Sequence, residues 1–118
     1  MAVDEVPVGS GSIERTDFET LFVEKHLDDR FAVVTLHRPD KLNAGSPTLF
    51  HELGNAIKSF DYDDDVQAVV VTGGDSKAFS AGADLGGRTF ENARDTFWFI
   101  RRCHEAFEPI ETLPKIVI

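Results

Sequence analysis

An amphipathic segment followed directly by a nearly unbroken apolar run, Gln67-Ala68-Val69-Val70-Val71-Thr72, admits few arrangements. A strand that apolar is buried on both faces, and a helix feeding it from an earlier strand makes a parallel crossover. The earlier parts are legible. Residues 20–27 and 31–36 are β-branched, aromatic and aliphatic, and the link Asp28-Asp29-Arg30 suits a hairpin turn between antiparallel strands. Pro39 ends the second strand, and Ser46-Pro47 supplies an N-cap followed by proline at the first helical position. Leu49, Phe50, Leu53, Ala56, Ile57 and Phe60 then share one helical face, with His51, Glu52, Asn55 and Lys58 elsewhere. After the run come residues 73–87, rich in Gly, Ala and Ser. Phe90, Ala93, Phe97, Ile100, His104, Phe107 and Ile110 follow at steps of three or four, predicting a second helix over roughly 91–113 that Pro109 kinks or ends early. Lys115-Ile116-Val117-Ile118 reads as the start of another buried strand, cut in mid-run.

The chain of 118 residues suffices for one modest domain, with residues 1–17 as a flexible tail and 18–118 as the folded part. In the tail, Gly9-Ser10-Gly11-Ser12 lacks the preceding strand and third glycine of a dinucleotide loop. No apolar run approaches the roughly 18 residues of a membrane helix, and the N-terminus has no secretory pattern, so the expectation is a cytoplasmic protein. Twelve Lys and Arg against twenty-one Asp and Glu leave a formal charge of −9, which argues against nucleic acid or an anionic membrane as partner. Five Lys against twelve Asp is a bias that salt-adapted and merely acidic proteins share. The single Cys103 cannot form an internal disulfide, which suits a reducing compartment.

Most catalytic and metal patterns fail. Asp61, Asp63 and Asp65 alternate as a calcium loop begins, yet Val66 replaces the turn glycine and Thr72 the closing glutamate, leaving a solvated acidic turn. His26, His37, His51 and His104 lack the spacing of a zinc set, and no metal site is expected. No serine-nucleophile elbow, Walker loop or Cys-His pairing is present.

Two loops at strand exits stand out, Leu36-His37-Arg38-Pro39-Asp40-Lys41-Leu42-Asn43-Ala44 and Lys77-Ala78-Phe79-Ser80-Ala81-Gly82-Ala83-Asp84-Leu85. Ligands bind beyond the carboxyl ends of strands in crossover sheets, so both loops can face one cleft. Arg38 and Lys41 are cations able to receive a phosphate, and Ala81-Gly82-Ala83 is small enough to expose backbone N–H donors. The plain alternative is equally open: surface charges, and a permissive turn in which Asp84 caps the next helix.

In order and in wording, Arg38-Pro39-Asp40-Lys41-Leu42-Asn43-Ala44, the Ser-Pro-started helix, Ala68-Val69-Val70-Val71-Thr72-Gly73 and Phe79-Ser80-Ala81-Gly82-Ala83-Asp84-Leu85 resemble the enoyl-CoA hydratase/isomerase, or crotonase, superfamily. The likeness runs from about Leu21 to Ile118 and corresponds to the N-terminal part of a family domain. It implies an α/β fold, the crotonase-like (ClpP/crotonase) spiral of β-β-α and β-α units. It also implies an acyl-CoA thioester as partner, coenzyme A entering only as part of the substrate with no other cofactor, and a homo-oligomer, trimer or hexamer. By residue, it assigns the first thioester-oxygen donor to the backbone N–H of Ala83, with Ala81, Gly82 and Asp84 around it, and CoA contacts to Arg38, Lys41, Ala44 and Lys77. Where many relatives carry a lysine two residues after the motif's Asp, this chain has Gly86.

The implied reaction is addition of water to a trans-2-enoyl-CoA, in fatty acid metabolism. The second oxyanion donor and the catalytic glutamates fall beyond the position matching Ile118, so this chain alone is expected to be inactive. Glu105, Glu108 and Glu111 read as solvated helix face, and Phe97, Trp98, Phe99 and Phe107 as either core or an aromatic acyl pocket. The alternatives are a noncatalytic acyl-CoA-binding or oligomerisation module, and a family isomerase or hydrolase.

Overall fold

The computed structural model describes residues 12–84, 86 and 91–118. Five strands form one mixed sheet in the order β1-β2-β3-β4-β5. They are β1 (Ile13–Asp17), β2 (Leu21–His26), β3 (Phe31–Leu36), β4 (Ala68–Thr72) and β5 (Ile116–Val117). The first three are antiparallel, β3 and β4 pair in parallel from Phe31↔Ala68 to Thr35↔Thr72, and β5 continues in parallel beside β4. Two helices, α1 (Pro47–Lys58) and α2 (Ala93–Thr112), are the crossovers into β4 and β5.

The hairpin forms as its residues dictate. Arg30 takes a left-handed φ of 60° and donates its N–H to the His26 carbonyl, closing the turn. Helix α1 starts where its cap predicts: Ser46 is extended, its hydroxyl accepts the Leu49 N–H at 3.1 Å, and Pro47 begins the helix. The predicted apolar face of α1 is the buried one, with Leu49, Phe50, Leu53, Ala56, Ile57 and Phe60 packed on Leu21, Val23, Ala32, Val34, Leu36 and Val69 of the sheet. Beside that face, Glu52 accepts from the backbone N–H groups of Glu19 and Thr20, tying α1 to the start of β2.

Four expectations need correction. Residues 13–17, assigned to the tail, form edge strand β1; its five residues are all exposed, so no apolar period announced it, and it is held by ladder bonds to β2 and by Arg15 lying 3.8 Å over the Phe22 ring. Residues 1–11 of the expected tail lie outside the described residues, as do Leu85 and 87–90 with Phe90. Pro109 does not stop α2, which continues to Thr112. In the last turn the missing N–H costs a single bond, and Leu113 still donates to the Pro109 carbonyl. Strand β5 forms but is not buried: Ile116 is 65% and Ile118 76% exposed, because it is the sheet edge and no described residue covers its outer side. The aromatic stretch of α2 is not core either: Phe97, Trp98 and Phe107 are about half exposed, while Ala106 and Pro109 are buried and Cys103 and Ile110 pack against the core.

The connector between α1 and β4 is locked by two lysines. Lys25 donates to the Asp63 carboxylate, and Lys115 donates to the carbonyls of Phe60 and Asp63. The Lys25 hydrogen bond lowers the Asp63 pKa below the ordinary carboxylate value; partial burial opposes this, and the Asp65 N–H and the two lysine charges assist. A carboxylate held low in the folded state contributes stability that is fully present above its ordinary pKa and is lost as pH falls through the folded value. Urea unfolding of the wild type and Asp63→Asn should therefore differ most near neutrality and converge on acidification. A constant gap across the acid range would contradict this.

Candidate functional site

Because β3 and β4 are adjacent and parallel, their C-terminal ends release loops 37–46 and 73–84 at the same edge, and these carry the described parts of the two segments singled out from sequence, 36–44 and 77–85. Asn43 joins them. It is fully buried, takes a left-handed φ of 56° that an asparagine tolerates, and uses its whole side-chain amide. Its Oδ1 accepts the Arg38 N–H at 2.8 Å, and its Nδ2 donates to the carbonyls of Gly73 and Phe79 at 3.1 and 3.2 Å. Its own carbonyl accepts from the Ser80 hydroxyl, whose oxygen in turn accepts the Gly82 N–H. One side chain of the first loop thus holds the start and the middle of the second.

Beyond Asn43 the loops pair as strands for one residue. Gly45 and Ala83 form a parallel bridge, in which the Gly45 N–H donates to the Gly82 carbonyl at 2.7 Å and the Asp84 N–H donates to the Gly45 carbonyl at 2.9 Å. In a parallel bridge the central residue's own amide faces the other way. The planar trans peptide gives the same result, because pinning the Gly82 C=O toward Gly45 aims the Ala83 N–H away from it. That N–H has no hydrogen-bond partner among the described residues. Gly82 stands at φ +100°, a conformation that demands glycine.

Ala83 lines a cavity of about 580 Å³ between the loops, α1 and α2. Its walls are mostly apolar: Leu49, Phe50 and Leu53 from α1, Cys103, Phe107 and Ile110 from α2, Val71 and Val117 from the sheet, and Phe79 from the second loop beside Ser80. Phe50 and Phe107 meet edge to face with centroids 5.8 Å apart. No Asp, Glu, His, Lys or Arg lines it among the described residues, and burial raises the pKa of the Cys103 thiol, favouring its neutral form. Such a site suits an apolar group carrying one acceptor oxygen. It holds no acid or base to move a proton.

The other sequence candidates divide. Arg38 is not the free cation expected: its guanidinium donates to the Ala44 carbonyl and to the Asp84 carboxylate, the latter at 3.1 Å, with both side chains largely shielded. Asp84 is therefore an ion-pair partner and not the cap of α2, whose N-cap is Asn92, which accepts the Asp95 N–H at 3.0 Å. Lys41 and Lys77 are exposed at the loops without a polar side-chain partner among the described residues. Ala44 is half-buried with its N–H given to the Lys41 carbonyl. Of the three amides expected free, Ala81 donates to Leu42 and Gly82 to Ser80, leaving Ala83. The reading missed Asn43, Ser80 and Gly45 as organising residues. An asparagine beside a loop alanine, able to sit at positive φ, was the available signal for the first.

Glu105, Glu108 and Glu111 are exposed, as expected. No group of His, Cys, Asp and Glu among the described residues is arranged to hold a metal. No described helix is long and apolar enough to cross a membrane.

Residues 27–118 match the family model described as Enoyl-CoA hydratase/isomerase. The chain is 41% identical over 68 residues to a probable enoyl-CoA hydratase of Mycobacterium bovis, covering 58% of this chain and 25% of that protein. It is 32% identical over 102 residues to a short-chain-enoyl-CoA hydratase of Clostridium acetobutylicum, covering 86% and 38%. Among solved structures it is similar to DspI of Pseudomonas aeruginosa, with a TM-score of 0.75 at 32% identity over 92% of this chain and 43% of that one. It is also similar to an enoyl-CoA hydratase structure from Geobacillus kaustophilus, with a TM-score of 0.75 at 28% identity, covering 90% and 39%. These relatives are longer, and the chain spans between 25% and 43% of their length. With its crotonase-like α/β fold, the chain belongs to the enoyl-CoA hydratase/isomerase family.

Proposed function

We propose that this chain forms the acyl-thioester-binding part of an enoyl-CoA hydratase, receiving the thioester oxygen of a trans-2-enoyl-CoA on the Ala83 N–H. The observation that carries this reading is the Ala83 backbone donor, turned away from the loop bridge and without a partner among the described residues, on the wall of a largely apolar cavity. Addition of water to the double bond builds negative charge on the thioester oxygen, and a preorganised amide on an apolar wall favours that charge. Lys41 and Lys77 flank the loops as cations for the phosphates of CoA, while the cavity takes the acyl group. The acid–base carboxylates come from the part of the longer relatives that this chain does not span, since none lines the cavity among the described residues.

The test compares acetyl-CoA with S-ethyl-CoA, which differs by lacking the carbonyl oxygen. On titration of ¹⁵N-labelled chain, the Ala83 amide proton should move downfield with acetyl-CoA and stay with the thioether. One neutral hydrogen bond is worth about 1 kcal/mol, so acetyl-CoA should bind roughly fivefold more tightly. Ala83→Pro, which deletes the donor, should abolish that preference. Crotonyl-CoA should keep its conjugated absorbance in the presence of this chain. An Ala83 amide indifferent to acetyl-CoA would remove the reading, and bleaching of crotonyl-CoA would place a general base within the chain.

A further inference from the structure

Resting on the reading of Ala83 as the oxygen's donor, we propose that Arg38 and Asp84 are a positioning pair that sets the aim of that amide and screens it, not a contact for the phosphates of the ligand. The segment carrying Ala83 has little else to orient it. Gly82 and Gly86 both take left-handed φ, at +100° and +48°, and a Cβ built at Gly82 would meet nothing within 4 Å. Ala83 itself is exposed. With scant packing, the direction of its N–H depends on the bonds at either side.

Those bonds form a closed loop. Gly45 holds Gly82 and Asp84 through its N–H and C=O. Arg38 holds the residues just outside that bridge, with one guanidinium nitrogen on the Ala44 carbonyl and another on the Asp84 carboxylate. A guanidinium is a rigid planar fork, so it fixes the relative twist of the two loop strands as a lysine could not. The relative side-chain exposures of 19% for Arg38 and 23% for Asp84 leave limited room for water to compete.

Charge gives a second reason. Asp84 is the residue directly after the donor, and a bare carboxylate there would oppose negative charge accumulating on the thioester oxygen. Arg38 cancels it. The pair therefore acts through Ala83, and Arg38 has no net charge left for a phosphate.

The experiment is the same pair of ligands on Asp84→Ala, Arg38→Met and Arg38→Lys. The expected result is S-ethyl-CoA affinity within twofold of wild type in all three. The fivefold preference for acetyl-CoA should fall to near one in Asp84→Ala and Arg38→Met, with the downfield response of Ala83 at least halved. Arg38→Lys should recover part of both. If Arg38→Met does not fold, the isosteric Asp84→Asn provides the same comparison. Variants that keep the preference and the Ala83 response overturn the proposal while leaving Ala83 its role. A tenfold loss of S-ethyl-CoA affinity in Arg38→Met with the preference intact overturns it in favour of a phosphate contact. An unresponsive Ala83 in the wild type defeats the underlying reading, and the proposal with it.

Discussion

Asn43→Leu is expected to lose about 3–7 kcal/mol of folding stability, enough to bring a chain of this size to the edge of unfolding. Leucine has similar length and no polar atoms. Of the groups Asn43 now satisfies, the Gly73 carbonyl keeps a partner in the Ser76 N–H, but the Arg38 N–H and the Phe79 carbonyl lose theirs. Each buried orphan costs about 1–3 kcal/mol, and a γ-branched residue at φ +56° adds roughly 1 kcal/mol that asparagine largely avoids. Asn43→Gly separates the two contributions, because glycine accepts the backbone angle and still leaves the orphans. It should sit between wild type and Asn43→Leu in urea midpoint at a common slope. An Asn43→Leu variant within about 1 kcal/mol of wild type would mean that water replaces the amide, and that the loops are joined by the Gly45 bridge alone.

The same residue shows where sequence reading reaches its limit. The order of elements was legible because each has a local signature: the β-branched, aromatic and aliphatic runs of β2 and β3, the Ser46-Pro47 cap, and the apolar run of β4. The placement of two loops at one sheet edge also followed, since parallel neighbours must end together. The direction of individual polar groups did not. Nothing local distinguishes Arg38, which closes onto Ala44 and Asp84, from Lys41, which remains at the surface three residues later. That difference depends on a partner 46 positions away. Similarly, Ala81, Gly82 and Ala83 are equivalent as small residues, and only the pairing of Gly45 decides that the last keeps its N–H. The exposed strand β1 was missed because a ladder on a polar edge leaves no apolar period to read.

Gly54→Val should destabilise the chain by about 3 kcal/mol or more, although valine has the better helix propensity. Gly54 lies on the buried face of α1 where α2 crosses it, and a Cβ there would stand 2.9 Å from the Glu105 carbonyl oxygen and 3.3 Å from the Ala106 Cα. Both obstacles are backbone, so no rotamer change relieves them. Pro109 has no N–H to give the Glu105 carbonyl, four residues before it, and that oxygen stands beside Gly54. Gly54→Ala is the sharper test of the same geometry. Propensity alone predicts a gain of about 1 kcal/mol, whereas the contact predicts a net loss. A more stable Gly54→Ala would show that the helices separate at little cost. In the expected case, moving α2 outward also displaces Cys103 and Phe107 from the cavity wall, so Gly54→Ala should weaken acetyl-CoA and S-ethyl-CoA equally, unlike any change at Ala83.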